Sequence, residues 1–590
     1  MSRRPFAARF VTIATLAALA TGMVGTTIVQ ARSPQAPDRQ LRIADDPARE
    51  SAGVRSFRHV DVAALPAPSG RTTPFEPDLG VPEGFGEAAP PDVAGVLGPV
   101  FATANADPVI DEATSYAGLA RVAGTPEVPS STDGEPPDPW VATGPEHVFQ
   151  AVNTEFRVTD RAGNELASAD MFDFFGLGQF YEPGEVAYFD PRVIYDSLHQ
   201  RWVAVEASFD CFVQSPSTVG TGYIDIAISD GPDPTAGWGV LSIAYSDALP
   251  DYPGLGTSTD KVVTSANVFA LDVGGDLGCE PVGGPGFLGT EMDVMAWSEL
   301  IGSGAVNIDF LYSTNNFPNN FFSWRPALQT PATSSTVFAI AERNDEDVAY
   351  ARINGSPAAG GVTTIAVSNL AAVIGPFAEA PPPMQPGSPA TIVRAYDARP
   401  TDAVWMNNRL AFVSTYPCDP DGPTVGEERA CVRVSELSTA TPASPTLIQD
   451  FLIGEDGADL YMGGVGYALN GTLHAVWTRS SEDAGQYASS YAAYQTPNVI
   501  DNSISDIALL SAGSGTYEGE RWGDYVGVAQ DPQVPNAVWQ GNQYSTGGTW
   551  GWATEVSQLQ TGGTSYVPIE PVRVLDTRPA FSIGLVGAFA

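Results

Sequence analysis

The sequence predicts an all-β protein assembled from repeated four-stranded units, and three observations carry that prediction. Gly 60 and Pro 50 in 590 residues favour many turns over long helices. Short apolar runs alternate with turn residues, as in "DPRVIYDSLHQRWVAVEAS" from Asp190, which reads as two strands around a tight turn. The same pattern returns at intervals of about 50 to 65 residues, the range of repeat architectures.

The chain opens "MSRRPFAARFVTIATLAALATGMVGTTIVQA". Two arginines precede an apolar run, and Val29, Gln30 and Ala31 form a small-residue cleavage site, so residues 1–31 are expected to be a secretory signal peptide. No later stretch is long and apolar enough to span a bilayer. The expectation is an exported protein, secreted or at the cell surface, without membrane insertion. Residues 32–130 are rich in Pro, Ala and Gly without sustained periodicity and read as an irregular linker or propeptide.

The repeats occupy residues 131–560. They start at Asp138, Asp190, Asp251, Thr401, Tyr461 and Trp522, and "SSTVFAIAERNDEDVAYARI", residues 334–353, is a degenerate seventh copy in the one long gap. The first copy reads through as "VAT", "VFQAVN", "EFRVTD" and "ELASA", and the second as "RVIYD", "RWVAVEAS", "YIDIAISD" and "WGVLSIAY". All-strand repeats of this length predict a β-propeller of four-stranded blades, seven by this count with six as the alternative. Blades bury both faces against their neighbours, which explains runs that do not alternate cleanly.

Asp138, Asp190, Asp251 and Asp402 head innermost strands, and Asp524 holds the matching place in "WGDY". Proline after such an aspartate is tolerated at a strand start, where no ladder partner is needed. Two readings follow. Each Asp caps its own turn through nearby backbone N–H groups, the favoured one. Alternatively the five carboxylates face one mouth of the central channel and bind a ligand or a cation there.

Four cysteines, Cys211, Cys279, Cys418 and Cys431, in an exported chain suggest disulfides, with three possible pairings. Cys418 with Cys431 closes a short loop and is favoured, which leaves Cys211 with Cys279. Inside that loop "CDPDGPTVGEERAC" places Asp419, Asp421, Glu427 and Glu428. Calcium is the metal such oxygen ligands would suit, although no cofactor is required by the reading and a solvated acidic turn is the favoured explanation.

Lys+Arg 28 against Asp+Glu 69 gives a net charge of -41, and Lys261 is the sole lysine. Such a surface repels nucleic-acid phosphates and anionic membranes. An extracellular glycan or protein is the partner class that remains, and a monomer is expected.

The stretches "PPDPWVATGPEHVFQAVN", "FDPRVIYDSLHQRW", "ISDGPDPTAGWG", "DYPGLG" and "ERWGDYVGVAQDP" together resemble a family of secreted bacterial β-propellers of sialidase-like, BNR-repeat type. The resemblance covers about residues 130–560 and implies the fold more than an activity. The segment Ser481 to Gly485 is similar to an Asp box, a structural turn of that fold. The tail, residues 566–590, contains "PVRVLDTR" and resembles the opening of an appended β-rich module, here truncated. A sialidase-like site would require an arginine trio, a Tyr activated by a Glu, and an Asp acid. Arg192, Arg201, Arg325, Arg394 and Arg521 are present, but no spacing marks three of them as a set. Glu206, in an apolar strand, reads as a raised-pKa acid or as an ordinary paired carboxylate. The four histidines form no catalytic arrangement legible in sequence, and no nucleophile elbow occurs. The sequence thus favours a non-enzymatic glycan- or protein-binding propeller. A glycoside hydrolase or lyase on extracellular polysaccharide is the alternative, and a scaffold for a missing C-terminal module the second alternative.

Overall fold

The computed structural model describes residues 55–68, 99–104, 109–121, 136–210, 220–272, 280–281, 286–302, 305–314, 320–343, 347–358, 361, 363–392, 398–420, 428–497, 500–519, 521–549 and 551–561. The signal-peptide, Cys211–Cys279, Arg394 and C-terminal-module readings lie outside them. The protein is nearly all-β. The helical pieces among the described residues are single turns such as Met171–Phe174 and Trp297–Leu300. None is long and apolar enough to cross a membrane.

Among the described residues, strands assemble into seven sheets of at least four strands, taken in chain order and antiparallel except for short strands added in parallel to the fifth and seventh. The first is Trp140–Thr143, His147–Ala151, Glu155–Asp160 and Glu165–Asp170. The second starts with Ala187–Asp196 and Arg201–Phe209, the hairpin expected from "DPRVIYDSLHQRW". The starting strands of the other five are Ala248–Thr257, Phe321–Pro326, Asp402–Met406, Asp459–Tyr467 and Gly527–Gln530. Each starting strand packs against that of the next sheet, and the seventh packs against the first. The degenerate copy at 334–353 is the second and third strands of the fourth sheet, Val337–Arg343 and Asp347–Asn354. Its starting strand, "FFSWRP", carries no Asp-Pro, so the pattern missed it.

Sheets bury both faces, as expected from non-alternating runs. Ala187–Asp196 is buried at every position. Trp140, Trp202, Trp238, Trp297, Trp477, Trp522 and Trp539 fill the spaces between sheets and are among the largest fully buried side chains. Tryptophan suits this place because it supplies much apolar area with few rotamers to freeze.

The stretch read as irregular linker is corrected where it is described, because it supplies edge strands. Arg55–Asp61 pairs with Gly237–Ser246 as a fifth strand of the second sheet. Val100–Phe101 adds in parallel to Thr446–Ile453 of the fifth. Asp111–Arg121 is the outer strand of the seventh, pairing along Trp552–Gln560. Sequence periodicity did not reveal these strands because "RSFRHVD" and "DEATSYAGLAR" do not alternate apolar with polar residues and their pairing partners lie far along the chain. Arg58 locks the first of them: its guanidinium donates to Asp225 Oδ1 at 2.8 Å, Ser242 Oγ at 2.8 Å and the Phe175 carbonyl at 2.5 Å.

Cys418 and Cys431 form the favoured disulfide across adjacent strands, with Cα atoms 5.9 Å apart. Within the loop it closes, Asp421 and Glu427 lie outside the described residues. Asp419 is partly buried and Glu428 exposed. Among the described residues no group of three or more His, Cys, Asp or Glu is arranged to hold a metal.

Because Asp111–Arg121 completes the seventh sheet, a chain beginning at residue 131 should melt below one beginning at residue 55. In the longer chain Leu119→Ala should cost about 2–4 kcal/mol, since Leu119 is buried in that strand. Chemical denaturation of the three proteins checks this; equal midpoints would show that the strand adds nothing.

Candidate functional site

The beginnings of the starting strands converge, and what joins them is polar. Asp190 and Tyr252 have φ of 59° and 55°, and Ser323 and Met462 have 55° and 46°. This left-handed conformation is unusual for side-chain-bearing residues and turns the backbone N–H toward the preceding sheet. There a polar side chain accepts it. Asp190 N donates to Asn153 Oδ1 at 2.8 Å, and Tyr252 N to Asp190 Oδ2 at 3.0 Å. Ser323 N donates to Asn267 Oδ1 at 2.8 Å, and Met462 N to Thr415 Oγ1 at 3.2 Å.

The remaining junctions have equivalents. Arg325 Nε donates to the Pro400 carbonyl at 3.2 Å between the fourth and fifth sheets. Trp522 Nε1 donates to Thr478 Oγ1 at 3.2 Å between the sixth and seventh. Asp524 N donates to Asp138 Oδ1 at 2.6 Å between the seventh and first.

The five aspartates therefore divide. Asp138, Asp190 and Asp402 are buried and accept backbone N–H groups of neighbouring sheets; Asp402 takes Val465 N at 3.3 Å as well as its own neighbour Ala403 N at 2.8 Å. Only Asp402 thus follows the favoured own-turn reading, and only in part. Asp251 is one position out of register, since Tyr252 occupies the left-handed place, and it is partly exposed. Asp524 faces Arg399 at 3.5 Å and Arg521 at 3.4 Å.

Sequence spacing marked no arginine set, but the fold makes one. Arg192 stacks on Trp140 and Tyr525, with its guanidinium carbon 4.3 and 4.2 Å from the ring centroids. Arg325 lies 3.4 Å and Arg399 4.0 Å from the Tyr252 centroid. Arg521 completes the group through Asp524. The tyrosines stand with ring centroids 6.0 Å apart. Arg201 is elsewhere, on the His199 and Gln200 carbonyls of its own turn. Arg399, Tyr252 and Tyr525 were missed in the sequence. The repeated Asp-Tyr at 251–252 and 524–525 was the available signal.

Below this cluster, toward the C-terminal ends of the starting strands, lies a cavity of ≈390 Å³ including its open mouth, walled by Trp140, Ile194, Tyr195, Leu328, Val404 and Val528. Thr143, Thr330 and Gln530 also line it, so the convergence point is ionic at one end and mainly apolar, with a few polar groups, at the other. Glu206 is elsewhere, on the second strand of the second sheet. It is fully buried beside Asp225, with neither oxygen hydrogen-bonded. Burial, then Asp225, holds its carboxyl well above the ordinary range.

Burial dominates the electrostatics of the cluster. It pushes Asp251 up to about 8, helped by Asp190 and opposed by Arg399. It pushes Asp402 up to about 6 against the pull of Arg192. Asp138 is raised by burial and by Asp524, and Asp190 likewise. A protonated Asp251 at neutral pH is a hydrogen-bond donor and a general acid by chemistry.

These shifts set a pH dependence. The groups ionise near pH 4 when unfolded and higher when folded, so between about pH 4 and pH 8 the native state binds more protons. Their contribution is fully present below pH 4 and is lost as pH rises through the folded values. Glu112 and Glu155, each raised by burial to about 7, act in the same direction. Buried His474, lowered to about 3, opposes them below pH 6.5. The protein should melt higher at pH 5 than at pH 8, and Asp251→Asn should shrink the difference. Melting temperatures that rise with pH would contradict this balance.

No family model matches the chain, and no curated protein matches it. Among solved structures, a Synechocystis apocarotenoid oxygenase variant is 9% identical, covers 66% of this chain and 72% of its own, and has a TM-score of 0.36. A Trypanosoma rangeli sialidase is 7% identical, covers 75% and 59%, and has a TM-score of 0.30. An α-L-arabinofuranosidase of Fusarium graminearum is 12% identical, covers 65% and 94%, and has a TM-score of 0.31. At these scores the likeness carries no argument.

Proposed function

We propose that the seven sheets are the blades of a closed β-propeller, and that the protein is exported and binds an extracellular glycan or protein through a carboxylate of that ligand. The observation that supports this is the arginine set. Positive charge is scarce in a chain of net charge -41. Yet Arg192, Arg325, Arg399 and Arg521 come together from distant parts of the chain around two tyrosines. Arg399 and Arg521 form the accessible rim, each with its side chain 14% exposed. Both meet Asp524, at 3.5 and 3.4 Å, and arginine is the side chain that binds a carboxylate with charge-assisted hydrogen bonds.

A second reading has one observation in its favour. Asp251, protonated at neutral pH and partly exposed beside these arginines, is placed as a general acid for glycoside hydrolysis. A scaffold for a further C-terminal module is a third reading, and it leaves the arginine rim without a role.

A glycan array with the full chain tests the proposal. Acidic glycans should bind and neutral ones should not, and Arg521→Ala should weaken binding by about tenfold or more, the worth of one charge-assisted hydrogen bond. Binding that ignores ligand charge would end the carboxylate reading. Turnover of an acidic glycoside, lost in Asp251→Asn while binding persists, would establish hydrolysis instead.

A further inference from the structure

The two inner arginines pose a problem that the rim does not. Arg192 is 3% exposed and Arg325 1%. Neither forms an ion pair with a carboxylate among the described residues. Arg192 Nη2 donates to the Thr401 carbonyl at 3.1 Å, and Arg325 Nε to the Pro400 carbonyl at 3.2 Å. These carbonyls belong to consecutive residues, so guanidiniums from the second and fourth sheets are brought side by side. Arg325 Nη1 is taken by the Tyr252 carbonyl at 3.0 Å. Aromatic rings of Trp140, Tyr525 and Tyr252 cover the faces. Arg192 Nε and Arg325 Nη2 are left buried without a hydrogen-bond partner.

The carboxylates nearby are committed elsewhere. Asp402 spends both oxygens on the Ala403 and Val465 N–H groups. Asp138 is held by Asp524 N and by Asn153 Nδ2 at 2.7 Å. Asp190 Oδ2 takes Tyr252 N, and only its Oδ1 lacks a partner. Asp402 and Asp190 act on these cations at a distance without hydrogen-bonding them, a buried guanidinium N–H left without an acceptor is costly, and arginine does not escape by losing its proton. Burial and the neighbouring Arg192 push Arg325 down to about 9, the direction expected of like charges packed together.

We propose that Arg192 Nε and Arg325 Nη2 together hold a small monovalent anion of the halide class, chloride being the common one, as a structural counter-ion at the centre of the ring. Two guanidinium N–H donors flanked by aromatic walls suit a spherical, weakly hydrated anion. The site stands apart from the ligand reading above, because Arg399 and Arg521 meet solvent and these two do not.

Crystals of the full chain grown with bromide in place of chloride test the assignment by anomalous scattering. A peak within about 3.5 Å of both nitrogens is expected. In solution, melting temperature should rise by about 2 °C for each tenfold increase in chloride above its Kd, at ionic strength held constant with gluconate. Arg325→Met should lose that response. If this variant does not fold, Arg192→Gln and the wild-type bromide map still decide. Equal melting in chloride and gluconate, or a water bridging Asp190 Oδ1 and Arg325 in place of a bromide peak, would overturn the proposal. Stabilisation by formate but by neither halide would also overturn it and would assign the pair to the carboxylate site.

Discussion

The structure depends on one kind of contact: a polar side chain of one sheet hydrogen-bonded across the junction to the start of the next. Apolar packing between sheets is abundant but non-directional. It does not by itself decide the angle or register at which neighbouring sheets meet. A hydrogen bond to a backbone N–H held in left-handed conformation does. Asn153 on Asp190, Asp190 on Tyr252, Asn267 on Ser323 and Thr415 on Met462 repeat it at corresponding places.

This arrangement explains why so many charged groups are buried together. Backbone N–H groups replace part of the hydration that a carboxylate loses on burial, so Asp138, Asp190 and Asp402 serve as junction residues despite being buried. The residual cost appears as carboxyls raised toward neutrality. The same crowding leaves arginines with carbonyls and aromatic faces as partners. The junction contacts and the arginine cluster are thus two consequences of one geometry.

The N-terminal segment illustrates a second constraint. Outer edges of sheets present unpaired backbone groups that invite unwanted pairing. Here three described stretches, Arg55–Asp61, Val100–Phe101 and Asp111–Arg121, cover the outer edges of the second, fifth and seventh sheets. Arg58 fixes the first of these by entering the sheet to meet Asp225. What composition marks as a linker serves as edge protection, because strand formation there is imposed by the partner edge and not by local periodicity.

By itself the sequence determined the all-strand character, the repeat, the second-sheet hairpin at Asp190 and the Cys418–Cys431 pairing. Each is local, resting on turn residues, apolar runs or short spacing. It also marked the Asp-Pro positions as special without showing why. Only the tertiary structure decided that these aspartates serve neighbouring sheets, that Asp251 is out of register, and that Arg192, Arg325, Arg399 and Arg521 meet. The physical reason is that convergence of strand starts sums residues from every repeat at one place. Such a sum has no signature in the spacing along the chain.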